Sequence, residues 1–125
     1  MPKRVLVIDD SSTMRSLIAA SVEEIKDYEA VEASNGFEAL KMLPAMTFDL
    51  IITDINMPEI NGLEIVSFVR NHPSYKDIPM IIVSTEQSEE DRKKGLALGA
   101  TAYVTKPFEP EQLKKVVQRV MKERP

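Results

Sequence analysis

The stretch VLVIDDSS, residues 5–12, decides the fold. Four apolar residues, three of them β-branched, run without a polar break into Asp9 and Asp10. Such a run marks a strand covered on both faces, as in a parallel sheet. Ser11 or Ser12 can then cap a helix, because Met14, Leu17, Ile18, Val22 and Ile25 recur at helical spacing. The segment is therefore strand, two acids, helix. Like charges about 4 Å apart repel by ~1 kcal/mol in water and by about 4 kcal/mol at the effective dielectric of a protein surface. The paired acids require something that offsets that cost.

The same grammar continues outward. A weaker strand at residues 28–33 has the mixed polarity of a sheet edge, and SNGFEALKML restarts a helix with Asn35 and Glu38 in capping-box spacing, which Pro44 is expected to stop. FDLIITD is a second buried run ending in Asp54, followed by a loop and, after Gly62, by the apolar face Leu63, Val66 and Val69. PMIIVST is a third such run, ending near Ser84. Residues 86–99 read as a helix that is sparsely apolar until Leu96 and Leu98, hence loosely packed. TAYVTK is a short last strand, and Pro110 opens a final helix with the inner face Leu113, Val116, Val117 and Val120. Five βα units in a row predict an α/β domain: a parallel sheet with helices on both faces, joined by right-handed crossovers.

Composition removes several classes of function. The 16 Lys and Arg against 20 Asp and Glu leave a net charge of −4, which gives no basic field for a nucleic-acid backbone. With no cysteine, disulfides, zinc–thiolate centres and redox motifs drop out, and the chain suits a reducing cytoplasm. No apolar run is long enough for a signal-peptide core or a membrane span. The 125 residues are expected to form one domain.

In parallel α/β sheets, ligands sit beyond the carboxyl ends of the strands. Asp9 and Asp10, Asp54, Ser84 and Lys106 all fall at that rim. Three converging carboxylates, with no compensating arginine nearby in sequence, should raise one another's pKa or recruit a cation. An oxygen-only set suits a hard ion, Mg²⁺ above all, because it keeps waters free for a phosphate. Beside it, Lys106 and the Ser84 hydroxyl could hold phosphoryl oxygens as Asp54 accepts the group. Read singly, each residue has a plainer explanation. Asp9 and Asp10 could cap a helix, Asp54 could be a loop acid and Lys106 a surface lysine, and Ser84 could simply end a strand. Their arrival at one rim is what joins them.

The acid pair after the first strand, TDINMPEINGLE around Asp54, Ser84 on the fourth strand and Lys106-Pro107-Phe108 on the fifth together resemble the receiver domain of two-component response regulators. The likeness runs over residues 1–125 without an output domain, and is strongest to single-domain CheY-like chemotaxis regulators. It implies a flavodoxin-like (βα)5 three-layer sandwich with strand order 2-1-3-4-5. It further implies that Asp54 takes a phosphoryl group from a phosphohistidine on a sensor histidine kinase. By the same likeness Asp9, Asp10, Asp54 and the backbone carbonyl of Asn56 hold Mg²⁺, Lys106 contacts the phosphoryl group, Ser84 swings toward it, and Tyr103 is a coupled aromatic. The Lys106–Pro107 peptide is implied to be cis. Output would pass to a downstream protein, such as a flagellar motor switch, through residues 86–99, 101–105 and 110–123, with a phosphatase as a further partner. The protein is expected to be a cytoplasmic monomer and not an enzyme.

Departures from the family pattern are Thr85, where a smaller residue is usual, and Asn61, where an acid is frequent. Glu59 and Glu86 are expected to flank the site. His72, the sole histidine, reads as an exposed loop residue, and Met14, Met42 and Met46 as gap fillers. Within the same signalling class stand a phosphate sink or phosphorelay intermediate. From other classes, an aspartyl-phosphate phosphohydrolase is disfavoured because Asn56 cannot supply a second proton-handling carboxylate. A flavin or nucleotide binder is disfavoured because no glycine-rich turn follows the first strand.

Overall fold

The structure, a computed structural model, describes residues 2–85 and 89–123. Its elements alternate without exception: β1 Lys3–Ile8, α1 Ser12–Glu23, β2 Tyr28–Ala33, α2 Gly36–Ala45, β3 Leu50–Asp54, α3 Gly62–Arg70, β4 Met80–Thr85, α4 Glu89–Leu98, β5 Ala102–Lys106 and α5 Pro110–Lys122. The strands pair in parallel in the order β2-β1-β3-β4-β5, as the sequence resemblance implied.

Period-two alternation along the buried strands explains the three layers. Leu6, Ile8, Ile51, Met80 and Ile82 project to one face, where they meet Ala39 and Leu43 of α2 and Ile65, Val66 and Val69 of α3. Val5, Val7, Leu50, Ile52, Ile81, Val83 and Val104 project to the other and meet Ile18 and Val22 of α1 and Leu113, Val117 and Val120 of α5. Each fully buried aliphatic side chain contributes roughly 1.5–3 kcal/mol, so both faces hold the sheet firmly. Among the described residues, no helix is long and apolar enough to cross a membrane.

Several local expectations change. Pro44 does not stop α2 but sits inside its last turn, because only one backbone bond is forfeited there and the Met46 N–H still reaches the Met42 carbonyl at 3.1 Å. The helix outlasts the proline by one residue. Asn35 caps α2, yet Glu38 reaches past it to the Ser34 N–H at 2.7 Å; the reciprocal capping box belongs to Asn61 and Glu64 of α3. β4 runs one residue beyond Ser84. Leu17, Leu96 and Leu98 lie exposed, the last two at 41% and 42%. His72 is half-buried and stacks on Tyr75 with centroids 4.2 Å apart.

Two glycines set the close approaches. At Gly95, the buried residue of α4, a Cβ would overlap Ile82 Cδ1, so this helix meets the sheet through its backbone. At Gly62 a Cβ would overlap the backbone carbonyl oxygen of Asp54, because the β3–α3 loop folds back until the Gly62 N–H bonds the Ile55 carbonyl at 2.9 Å. Gly62→Ala is expected to cost on the order of 3 kcal/mol, since the clash is with main chain that cannot rotate away. Urea unfolding measures it, and a loss under about 0.5 kcal/mol, the range of an indifferent surface change, would contradict the close approach.

Candidate functional site

The rim at the carboxyl ends of the strands brings the predicted residues together. Asp9, just past β1, is fully buried, and Asp54, the last residue of β3, is 5% exposed. Asp10 points outward, but one carboxylate oxygen from each of Asp9, Asp10 and Asp54 falls within 4.8 Å of the others. Lys106, ending β5, places its Nζ 3.4 Å from Asp9 Oδ2 and 3.3 Å from Asp54 Oδ1. The strand order makes this possible, because β1 and β3 are adjacent and the long Lys106 side chain reaches them from the edge strand β5, past β4. The Lys106–Pro107 peptide that leaves β5 is cis.

Burial pushes the Asp54 carboxyl above the ordinary range for aspartate; Lys106 pulls it down, Asp9 pushes it up, and a hydrogen bond from the Asn56 N–H lowers it. Desolvation and the neighbouring acid prevail over the lysine. A hard divalent cation fits this donor set: three carboxylates gather within 4.8 Å, two of them beside the Lys106 ammonium, every donor is oxygen, and the third carboxylate opens to solvent for an ion that keeps its waters.

Ser84 is fully buried on β4, and among the described residues no group pairs with its Oγ. A buried hydroxyl without a partner costs roughly 1–3 kcal/mol. Ser84→Ala is therefore expected to leave the resting protein as stable or about 1 kcal/mol more stable, as read from its unfolding midpoint. A clear loss would mean that the hydroxyl is satisfied. Tyr103 on β5 is half-buried; its hydroxyl donates to the Thr85 carbonyl at 3.0 Å, and Arg92 of α4 lies over its ring with Cζ 5.5 Å from the centroid. Glu59 is exposed in the β3–α3 loop at φ 68°, whereas Glu86 lies outside the described residues. Asn61 serves as the α3 cap.

One expectation is corrected: an arginine does lie near the acids in sequence, six residues after Asp9, and the fold turns it back onto them. Arg15, on α1, donates from Nη1 to the backbone carbonyl of Asp9 at 2.8 Å and from Nε to Glu32 Oε1 at 3.1 Å. Its sign in the sequence is a cation near the start of a helix, where the macrodipole disfavours one.

The family model described as response regulator receiver domain matches residues 5–118. The chain is 40% identical over 119 residues to the chemotaxis protein CheY homolog of Campylobacter jejuni, covering 94% of this chain and 92% of that one. It is 39% identical over 120 residues to part of the sensor histidine kinase CheAY of Helicobacter pylori, covering 94% of this chain and 15% of that protein. The solved structure of the chemotaxis response regulator CheY4 of Vibrio cholerae superposes with a TM-score of 0.88 at 40% identity, covering 96% of this chain and 99% of that one. A match along nearly the whole chain, on the same strand order and with the acids and the lysine at one rim, places this protein among the response regulator receiver domains, the CheY-like phosphoacceptors of two-component signalling.

Proposed function

We propose that this chain is a Mg²⁺-dependent switch that accepts one phosphoryl group on Asp54 and passes the signal on by changing its affinity for a protein partner. The observation that carries the reading is the convergence of three carboxylates within 4.8 Å, with the Lys106 ammonium bridging Asp9 and Asp54. Asp9, Asp10, Asp54 and the Asn56 carbonyl would hold Mg²⁺, which supplies charge neutralisation for an incoming phosphate. A carboxylate oxygen of Asp54 attacks phosphorus as the P–N bond of a phosphohistidine on the donor kinase breaks. The imidazole leaves with the electron pair and regains a proton, and an acyl phosphate remains on Asp54. Lys106 then exchanges its carboxylate contacts for phosphoryl oxygens, and the unpaired Ser84 hydroxyl gains a partner in that state alone. Because Ser84 lies on β4 one residue before its end and Tyr103 is tied to Thr85, a shift at Ser84 biases Tyr103, α4 and the α5 side. Residues 86–99, 101–105 and 110–123 form the output face, and the similarity to chemotaxis proteins supports a partner in that pathway. The chain receives phosphate stoichiometrically and does not act as an enzyme on a free substrate.

Incubation with Mg²⁺ and a small acyl phosphate, followed by mass spectrometry, tests this. One adduct, mapped to Asp54, is the expected result. No adduct, an adduct elsewhere, or many turnovers without a partner would overturn it.

A further inference from the structure

Resting on the Mg²⁺ reading above, we infer that Arg15 is a positioning residue of the metal seat: it fixes the main chain of Asp9 while keeping its own charge off the oxygens that would hold the ion.

Asp9 stands between two elements. β1 has ended and α1 has not begun, so neither the sheet ladder nor the helix provides a donor for its carbonyl. Arg15 Nη1 provides one at 2.8 Å. On the other side of the same residue, the Asp9 N–H bonds the Ala33 carbonyl at 3.2 Å. The side chain is held separately, with the Ser11 N–H on Oδ1 at 2.9 Å and Lys106 Nζ 3.4 Å from Oδ2. Each polar atom of Asp9 is thus engaged, and Arg15 is the side chain that secures its backbone.

What Arg15 avoids matters equally. A guanidinium beside three carboxylates would ordinarily take two of their oxygens in a bidentate grip. Here its Nε is paired instead to Glu32 of β2 at 3.1 Å, and the side chain is largely covered. The ion pair with Glu32 offsets much of its repulsion toward an entering dication and aims the planar fork at the Asp9 carbonyl. α1 accepts a cation near its N-terminus, and has no acid in its first turn, in return for that fixed strand end.

Two effects of Arg15 on Mg²⁺ have opposite signs, which makes the inference testable. If its charge dominates, neutralising it removes a repulsion and tightens binding. If its positioning dominates, neutralising it loosens Asp9 and weakens binding, by about tenfold on the scale of other partners that orient metal ligands. Arg15→Gln and Arg15→Lys are compared with wild type by Mg²⁺ calorimetry, with urea unfolding in EDTA as the measure of the empty fold. About tenfold weaker Mg²⁺ binding by Arg15→Gln, and a loss by Arg15→Lys despite its retained charge, is the expected result, since an ammonium cannot bridge Asp9 and Glu32 with a rigid fork. Unchanged or tighter binding by Arg15→Gln overturns the inference, as does a lower urea midpoint with wild-type affinity. Should Arg15→Gln fail to fold, Arg15→Lys decides alone: wild-type affinity overturns it. Absence of Mg²⁺ binding by the wild type would instead overturn the metal reading beneath it.

Discussion

Asp54→Asn is expected to lower phosphoryl uptake from a small acyl phosphate to below about a thousandth of the wild-type rate, on the scale that losing a covalent nucleophile costs. The amide keeps the shape and burial of the side chain but has no carboxylate oxygen to attack phosphorus. Lys106→Ala should behave differently. Its ammonium lies 3.3 Å from Asp54 Oδ1, where charge gathers as the group transfers, so its loss should slow uptake by roughly 10²–10³ while leaving the adduct on Asp54. Intact mass against time separates the two patterns: no product for the first variant, slow product at the same residue for the second. Equal loss in both would mean that Lys106 is needed for the fold of the site and not for the step; comparable uptake by Asp54→Asn would remove Asp54 as the acceptor.

The second expectation concerns stability without phosphate. Burial holds the Asp54 carboxyl above its unfolded value, so its neutral form is the one the native state favours. That favourable contribution is complete below the unfolded pKa, near 4, and is lost as pH rises through the folded value. Above that folded value the metal-free protein carries an ionised, poorly solvated group beside Asp9. Asp54→Asn should be more stable there by on the order of 1 kcal/mol, or about 4 °C in Tm for a domain of this size, and the advantage should vanish toward pH 4. Mg²⁺ should act in the reverse sense. At a hundredfold excess over its Kd it should stabilise the wild type by about 2.7 kcal/mol, and Asp54→Asn by much less. Melting curves at several pH values, in EDTA and in Mg²⁺, measure both effects. An advantage of the same size at pH 4 and pH 7 would mean that the ionised carboxylate is not the source.

The sheet was readable because β1, β3 and β4 are apolar runs interrupted by nothing, and such runs serve only a strand covered twice. The rim residues were readable for a related reason: the last residue of a buried parallel strand has only one end of the molecule to occupy. Other features depend on tertiary facts that spacing does not encode. Leu96 and Leu98 are the apolar positions that the sequence offers in a sparsely apolar α4, but the helix turns Gly95 to the sheet and leaves both leucines partly exposed. Asn35 and Glu38 have the spacing of a capping box, and the carboxylate finds the Ser34 N–H one residue earlier. Arg15 is near Asp9 along the chain, yet its role follows from Glu32 on β2, which strand pairing brings alongside β1. Periodicity reports that a side chain is covered; it does not report by what.

The contact between Gly95 and Ile82 has a mechanical consequence. A helix seated by a row of interlocking leucines must unlock them all to move, whereas one that rests on a bare patch of its own backbone can swivel about that point with little repacking. Missing bulk at a single position would thus make α4 a rocker on an otherwise stiff platform, and a larger residue there would jam it.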